Sequence, residues 1–125
     1  MKHEKSLSGG FDEIVARTKA ALKERGFGVL TEIDIAATLK QKIGAEVAPY
    51  VILGACNPHF AHQALQIEPD LGLLLPCNVV VMQRGSEIFV KAVDAQAMLG
   101  VTGNAALVPM AESVDELLEG ALRAI

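Results

Sequence analysis

Tryptophan is absent from this 125-residue chain, and one tyrosine and four phenylalanines are its only aromatic residues. So few rings offer no stacking platform for single-stranded nucleic acid. Positive charge is also scarce. Eleven Lys and Arg stand against fifteen Asp and Glu, a formal charge of −4. That balance argues against DNA or RNA as a partner, because such affinity comes largely from cations on phosphates. Long apolar runs are missing too. The longest, Leu71 to Met82, contains Pro76 and Asn78 and falls well short of the ~20 residues a bilayer helix needs. No membrane span is expected. The opening MKHEKSLSGGFDE carries charge throughout and lacks the apolar centre of a signal peptide. With only two cysteines and no export signal, the expected setting is a reducing cytoplasm, with free thiols rather than a structural bridge.

What is present is apolar. Hydrophobic residues make up 51% of the chain and charged residues 21%, which excludes intrinsic disorder. A chain of this length makes one domain, residues 1–125, of about 14 Å radius of gyration. It can bury a real core without disulfides or metal. A fraction this apolar also predicts surface left over once the core is filled, and therefore a partner or a second copy of the chain.

The first element is a strand within Lys2 to Leu7. From Phe11, the residues Phe11, Ile14, Val15, Thr18, Ala21 and Leu22 recur at helical spacing. Gly10 suits the N-cap and Gly26 the left-handed stop. Gly28 to Ile33 reads as a strand with Val29, Thr31 and Ile33 on one face. Asp34 caps a short helix with an Ile35, Leu39 and Ile43 ridge, closed by Gly44. Tyr50 to Cys56 is apolar at both parities, as in a strand covered on both faces or in a sheet centre. Asn57 and Pro58 are an N-cap and a first-turn proline. They open a helix to Gln66 that buries Phe60, Ala61, Ala64 and Leu65 and turns His59, His62, Gln63 and Gln66 outward. Leu71 to Gln83 reads as a long strand interrupted at Pro76. Gly85-Ser86 signals a tight hairpin into Glu87 to Val93. Asp94 to Leu99 makes a turn or two of helix, and Gly100 to Met110 is loop-like. Ser113 and Glu116 form a capping box for a final amphipathic helix. Helices alternate with strands, but the hairpin adds an antiparallel pair. The expected class is α+β, a single domain with a curved mixed or antiparallel sheet and its helices mainly on one face.

The residues that carry chemistry are Cys56, Asn57, His59, His62 and Cys77. Cys56 precedes a helix N-terminus, where backbone amides and the dipole favour a thiolate or a bound anion. His59 and His62 stand three apart on one helix and can share a ligand. Cys, His, His and Cys are suitable donors for zinc or another soft metal, although the spacing matches no standard zinc module. A plainer reading stands beside this one. Cysteine is often simply buried, and the histidines belong to a polar face with two glutamines. Ser8-Gly9-Gly10 could receive a phosphate on its amides, or merely let the chain turn.

Three segments together carry a family resemblance: GFGVLTEID (Gly26 to Asp34), LGACNPHFAHQAL (Leu53 to Leu65) and GLLLPCNVVV (Gly72 to Val81). The chain resembles the domain of unknown function 302 family over nearly its whole length, through the paired Cys-Asn-Pro and Pro-Cys-Asn motifs. The resemblance implies a small α+β domain in which a helix grips a strongly curved sheet, similar in layout to the TATA-binding fold, and commonly a homodimer. It implies no catalytic residue or cofactor. It does place Cys56 and Cys77 inside the family's recognisable motifs, and leaves His59 outside them. The expected function is a cytoplasmic homodimeric domain that binds a small apolar or anionic ligand, or an interaction module. The other expectation is a thiol- or metal-dependent activity centred on Cys56, with Cys77 and the nearby histidines.

Overall fold

A computed structural model describes residues 2–125. Five strands, β1 (His3–Leu7), β2 (Gly28–Asp34), β3 (Tyr50–Cys56), β4 (Cys77–Arg84) and β5 (Glu87–Ala92), form one open sheet in the order β1-β5-β4-β3-β2. Every neighbouring pair is antiparallel. Of the mixed or antiparallel sheet expected from the sequence, the antiparallel form is the one observed. Alternation of helix and strand sets the order of elements along the chain, but not strand direction, which depends on which edge each strand joins. The helices are α1 (Phe11–Glu24), α2 (Ile35–Ile43), α3 (Pro58–Ile67), α4 (Ala95–Gly100) and α5 (Val108–Arg123).

Local chemistry explains most boundaries. Gly26, at φ +84°, lets Phe27 N–H bond back to Leu22 O at 2.9 Å, which ends α1 with a residue for which a left-handed conformation carries no side-chain clash. Asp34 accepts the Ala37 N–H at 2.9 Å and so starts α2, as a short oxygen-bearing side chain does at an N-cap. At the β4–β5 turn, Gly85 has φ +60° while Ser86 does not enter the positive region, the arrangement that a glycine in the first turn position allows.

One face of the sheet is buried. Val51, Leu53 and Ala55 of β3, Val79 and Val81 of β4, and Ile88 and Val90 of β5 all point into it. They meet Ile14 and Leu22 of α1 and Leu118 and Leu122 of α5 in one core. Alternate residues face away from the helices. There Ile52, Val80, Met82 and Phe89 are only partly buried, and Ile33 is exposed. Of the two expectations for β3, cover on both faces is overturned, while a place inside the sheet, between β4 and β2, is what the strand order gives. Its second run of apolar residues is explained in part by Gly54, which is buried beneath Thr31 and Pro76. A Cβ there would stand 2.9 Å from Pro76 Cγ and closer still to the Thr31 hydroxyl oxygen.

Five further expectations change. The strand starts only at Cys77, and Pro69–Leu73 is a 3₁₀ turn; apolar periodicity alone does not separate a short buried turn from a strand. A bulge at Leu30 puts Val29 opposite Ala55, while Thr31 and Ile33 pair with Gly54 and Ile52 on the other face. One extra residue inverts the alternation. The last helix begins at Val108, not Ser113, with Pro109 in its first turn. The Ser113 hydroxyl donates to Pro109 O inside that helix, so there is no capping box, and the expected loop from Gly100 to Met110 holds a 3₁₀ turn over Ala105–Leu107. Leu65 is 40% exposed rather than buried.

Candidate functional site

Cys77 pairs with Ala55 across the β3–β4 ladder, which places it next to Cys56 at the end of β3. Both cysteines line one apolar cavity of about 40 Å³, roofed by Phe60 and Ala64 of α3 and walled by Met98 and Met110. Asn57 reaches the same space and also caps α3, accepting the Phe60 N–H at 3.3 Å. Cys56 is half-buried and Cys77 buried, and both are free thiols. Burial pushes the Cys77 thiol up to about 11, and the neighbouring Cys56 and Asp115 charges act in the same direction. At neutral pH Cys77 is therefore a protonated, weakly nucleophilic thiol, because the thiolate is the reactive form. Cys56 is the more accessible of the two.

The histidines lie elsewhere. His59 and His62 are exposed, and His62 Nε2 stands 3.3 Å from Gln66 Nε2 along the outer face of α3. Phe60, Ala61 and Ala64 of the same helix face the cavity. The Cys56, His59, His62 and Cys77 set is thus divided between two sides of α3. Among the described residues, no group of three or more His, Cys, Asp or Glu side chains is placed to hold a metal ion. The first turn of α3 offers an anion few free hydrogen-bond donors. Pro58 has no N–H, Phe60 N–H goes to the Asn57 side chain, and Ala61 N–H goes to Asn57 O. At Gly10, the groove beside the N-terminus of α1 is lined by Asp12, Glu13, Glu32 and Asp34, a negative setting that disfavours phosphate.

A second cluster escaped the sequence reading. Asp115 of α5 is only 4% exposed, yet its carboxylate has four partners. His3 Nε2 lies 2.8 Å from Oδ1 and Lys2 Nζ donates to Oδ2 at 3.1 Å. Ala95 and Gln96 donate their N–H groups at 2.7 and 3.1 Å. Burial pushes this carboxyl up, but the bonds from His3, Ala95, Lys2 and Gln96 outweigh it and hold it below the ordinary range. The arrangement ties β1 and the first turn of α4 to α5, and Asp94 caps α4 from its own end by accepting the Ala97 N–H. Its one sequence signal was the polar Asp115 between Val114 and the Leu117-Leu118 pair, on an otherwise apolar stripe. Ala95 joins the two clusters, since its N–H binds Asp115 while its side chain lines the cysteine cavity.

An open antiparallel sheet with all its strong burial on one face, and a sulfur-lined cavity where α3 and α4 meet it, defines a small two-layer α+β domain. The chain matches the model for "Domain of unknown function DUF302" over residues 3–125 and belongs to that family. Among solved structures it is similar to the crystal structure of an uncharacterized conserved DUF302 protein from Bacillus stearothermophilus. The two share 29% identity at a TM-score of 0.91, over 98% of this chain and 95% of the other. No curated protein matches the chain. Among the described residues, no helix is long and apolar enough to cross a membrane.

Proposed function

We propose that this domain is a cytoplasmic homodimeric interaction module, docking through β2, α2 and the loop that follows, and holding a small guest in the cysteine-lined cavity. The observation that carries the dimer is an arm left without a core. No residue of α2 is buried, and Leu30, Ile33, Ile43 and Val47 are 45 to 74% exposed. A helix of nine residues is marginal in water and depends on packing for its stability. The chain exposes 7042 Å², against about 6400 Å² for a compact monomer of its mass. The excess approaches the ~800 Å² that each partner contributes to a standard interface. A second copy satisfies this surface by two-fold symmetry, the commonest assembly of soluble chains. Light scattering during size-exclusion, over a wide concentration range, is the test. The expected result is a dimer that the Leu30→Ser, Ile43→Ser pair converts to monomer; a monomer at every concentration overturns the reading.

A thiol-dependent site is the second reading, favoured by the meeting of Cys56 and Cys77 in one cavity. Cys56 should then react with a small alkylating agent in the folded protein well before Cys77. Equal inertness of both until unfolding would reduce the pair to packing.

A further inference from the structure

Four sulfur-bearing residues line the cavity beneath α3. Cys56 ends β3, Cys77 begins β4, Met98 lies on α4 and Met110 on α5, and all four line the same space. The chain has two cysteines and four methionines, so both cysteines and half the methionines line one cavity. The rest of the wall is almost entirely hydrocarbon, including Phe27 and Phe60. The space measures about 40 Å³. One water-sized probe takes roughly 10–15 Å³ of such volume, whereas pockets for drug-sized molecules run to about 300–1,000 Å³. There is room for an ion, not for a metabolite.

Donor chemistry decides which ion. Hard cations require oxygen ligands, and zinc sites draw on thiolate, imidazole and carboxylate rather than thioether. Thiols and thioethers together select a soft metal, and Cu(I) is the common biological ion of that kind. Methionine side chains are unbranched and adaptable, so they can close on a guest without a change of backbone. The N-terminus of α3, immediately after Cys56, places the positive end of a helix dipole beside the thiolate that binding creates.

We propose that Cys56, Cys77, Met98 and Met110 form a binding site for a single Cu(I) ion. The inference rests on the reading of the cysteine pair as a site. Each thiol that coordinates releases its proton to solvent and donates a sulfur lone pair, and copper remains Cu(I) throughout. The experiment titrates the reduced, full-length protein with Cu(I) under anaerobic conditions against a chromophoric Cu(I) chelator. X-ray absorption at the copper edge then reads the donor atoms.

One Cu(I) per chain with a sulfur-only shell is expected. Met98→Leu and Met110→Leu conserve volume, so they should leave the circular dichroism unchanged. Each should weaken Cu(I) binding by at least the ~10-fold that loss of even an outer-shell partner costs a metal site. Cys56→Ser should weaken it further. A nitrogen- or oxygen-rich shell, or equal affinity in the double methionine variant, overturns the proposal. Alkylation of the apoprotein separates the two ideas. Selective reaction at Cys56 without copper retention overturns the metal site and leaves the thiol reading standing. Two thiols that are inert until unfolding, with no copper retained, overturn both.

Discussion

The helix-covered body and the β2–α2 arm are built from similarly apolar sequence but end in opposite states. In the body, Leu53, Val79, Val81, Ile88 and Val90 are essentially sealed from water, and even its charged residues are spoken for. In the arm, Ile35, Leu39 and Ile43 form an equally regular ridge, yet Ile43 is 74% exposed. Periodicity marks which residues can be buried together. It does not supply the surface that buries them. Among the described residues the arm's apolar stripe is only half covered, with Ile35 and Leu39 partly buried and Ile43 exposed, and on the proposed reading this difference separates stability from association.

The strongest way to break the comparison is at Asp115. Asp115→Ala leaves His3, Lys2 and the N–H groups of Ala95 and Gln96 without this acceptor. It should cost about 3–5 kcal/mol, the usual penalty for removing one member of a buried charged cluster, read as a lower urea midpoint. Loss below 1 kcal/mol would mean that the cluster is not what anchors β1 and α4. Gly54 is next. Gly54→Ala sets a methyl against Thr31 and Pro76 and should cost about 1–3 kcal/mol, the range for overpacking. Adding Thr31→Ala should recover part of the loss, because it removes one of the two clashing groups.

The effect of pH is smaller and has a definite sign. The folded Asp115 carboxyl lies below the ordinary aspartate value of 3.8, so between the two values the unfolded chain binds more protons. Its contribution is therefore complete above about pH 4 and is lost as pH falls through the lower, folded value. Unfolding midpoints measured from pH 6 down to 2 should drop less steeply in Asp115→Asn than in the parent. Parallel acid limbs would count against the cluster as the source. The smallest effect on folding is expected in the arm. Ile43→Ser should change the stability of the isolated domain by no more than about 0.5 kcal/mol, as surface substitutions do. The same change should raise the concentration at which dimers form, which light scattering will show. Were it instead to unfold the monomer, the arm would belong to the core after all.

Local rules wrote much of the fold into the chain. The caps at Asp34 and Asn57, the stop at Gly26 and the Gly85 turn each depend on one or two side chains and their immediate backbone, and all were legible. The 3₁₀ turn before Pro76 and the early start of α5 were not. Leu71 to Leu75 looks as apolar in a turn as in a strand, and Val108 starts a helix without a polar cap. The candidate site divided along the same line. Cys56 and Cys77 were visible as motif residues, but 21 positions separate them, and only the Ala55–Cys77 pairing sets them side by side. Met98 and Met110 gave no sign at all, since a lone methionine in a helix is indistinguishable from ordinary packing.

By itself, then, the sequence determined the small α+β class, the alternation of elements, the free thiols and an excess of apolar surface, because these follow from composition and near-neighbour chemistry. Tertiary structure alone decided that every strand pairs antiparallel, that Asp115 reaches back to His3, that the histidines of α3 face away from the cysteines, and that four sulfur-bearing residues line one cavity. Most of those facts join residues far apart in the chain. Their meeting depends on strand order and helix packing, which no single stretch of sequence encodes.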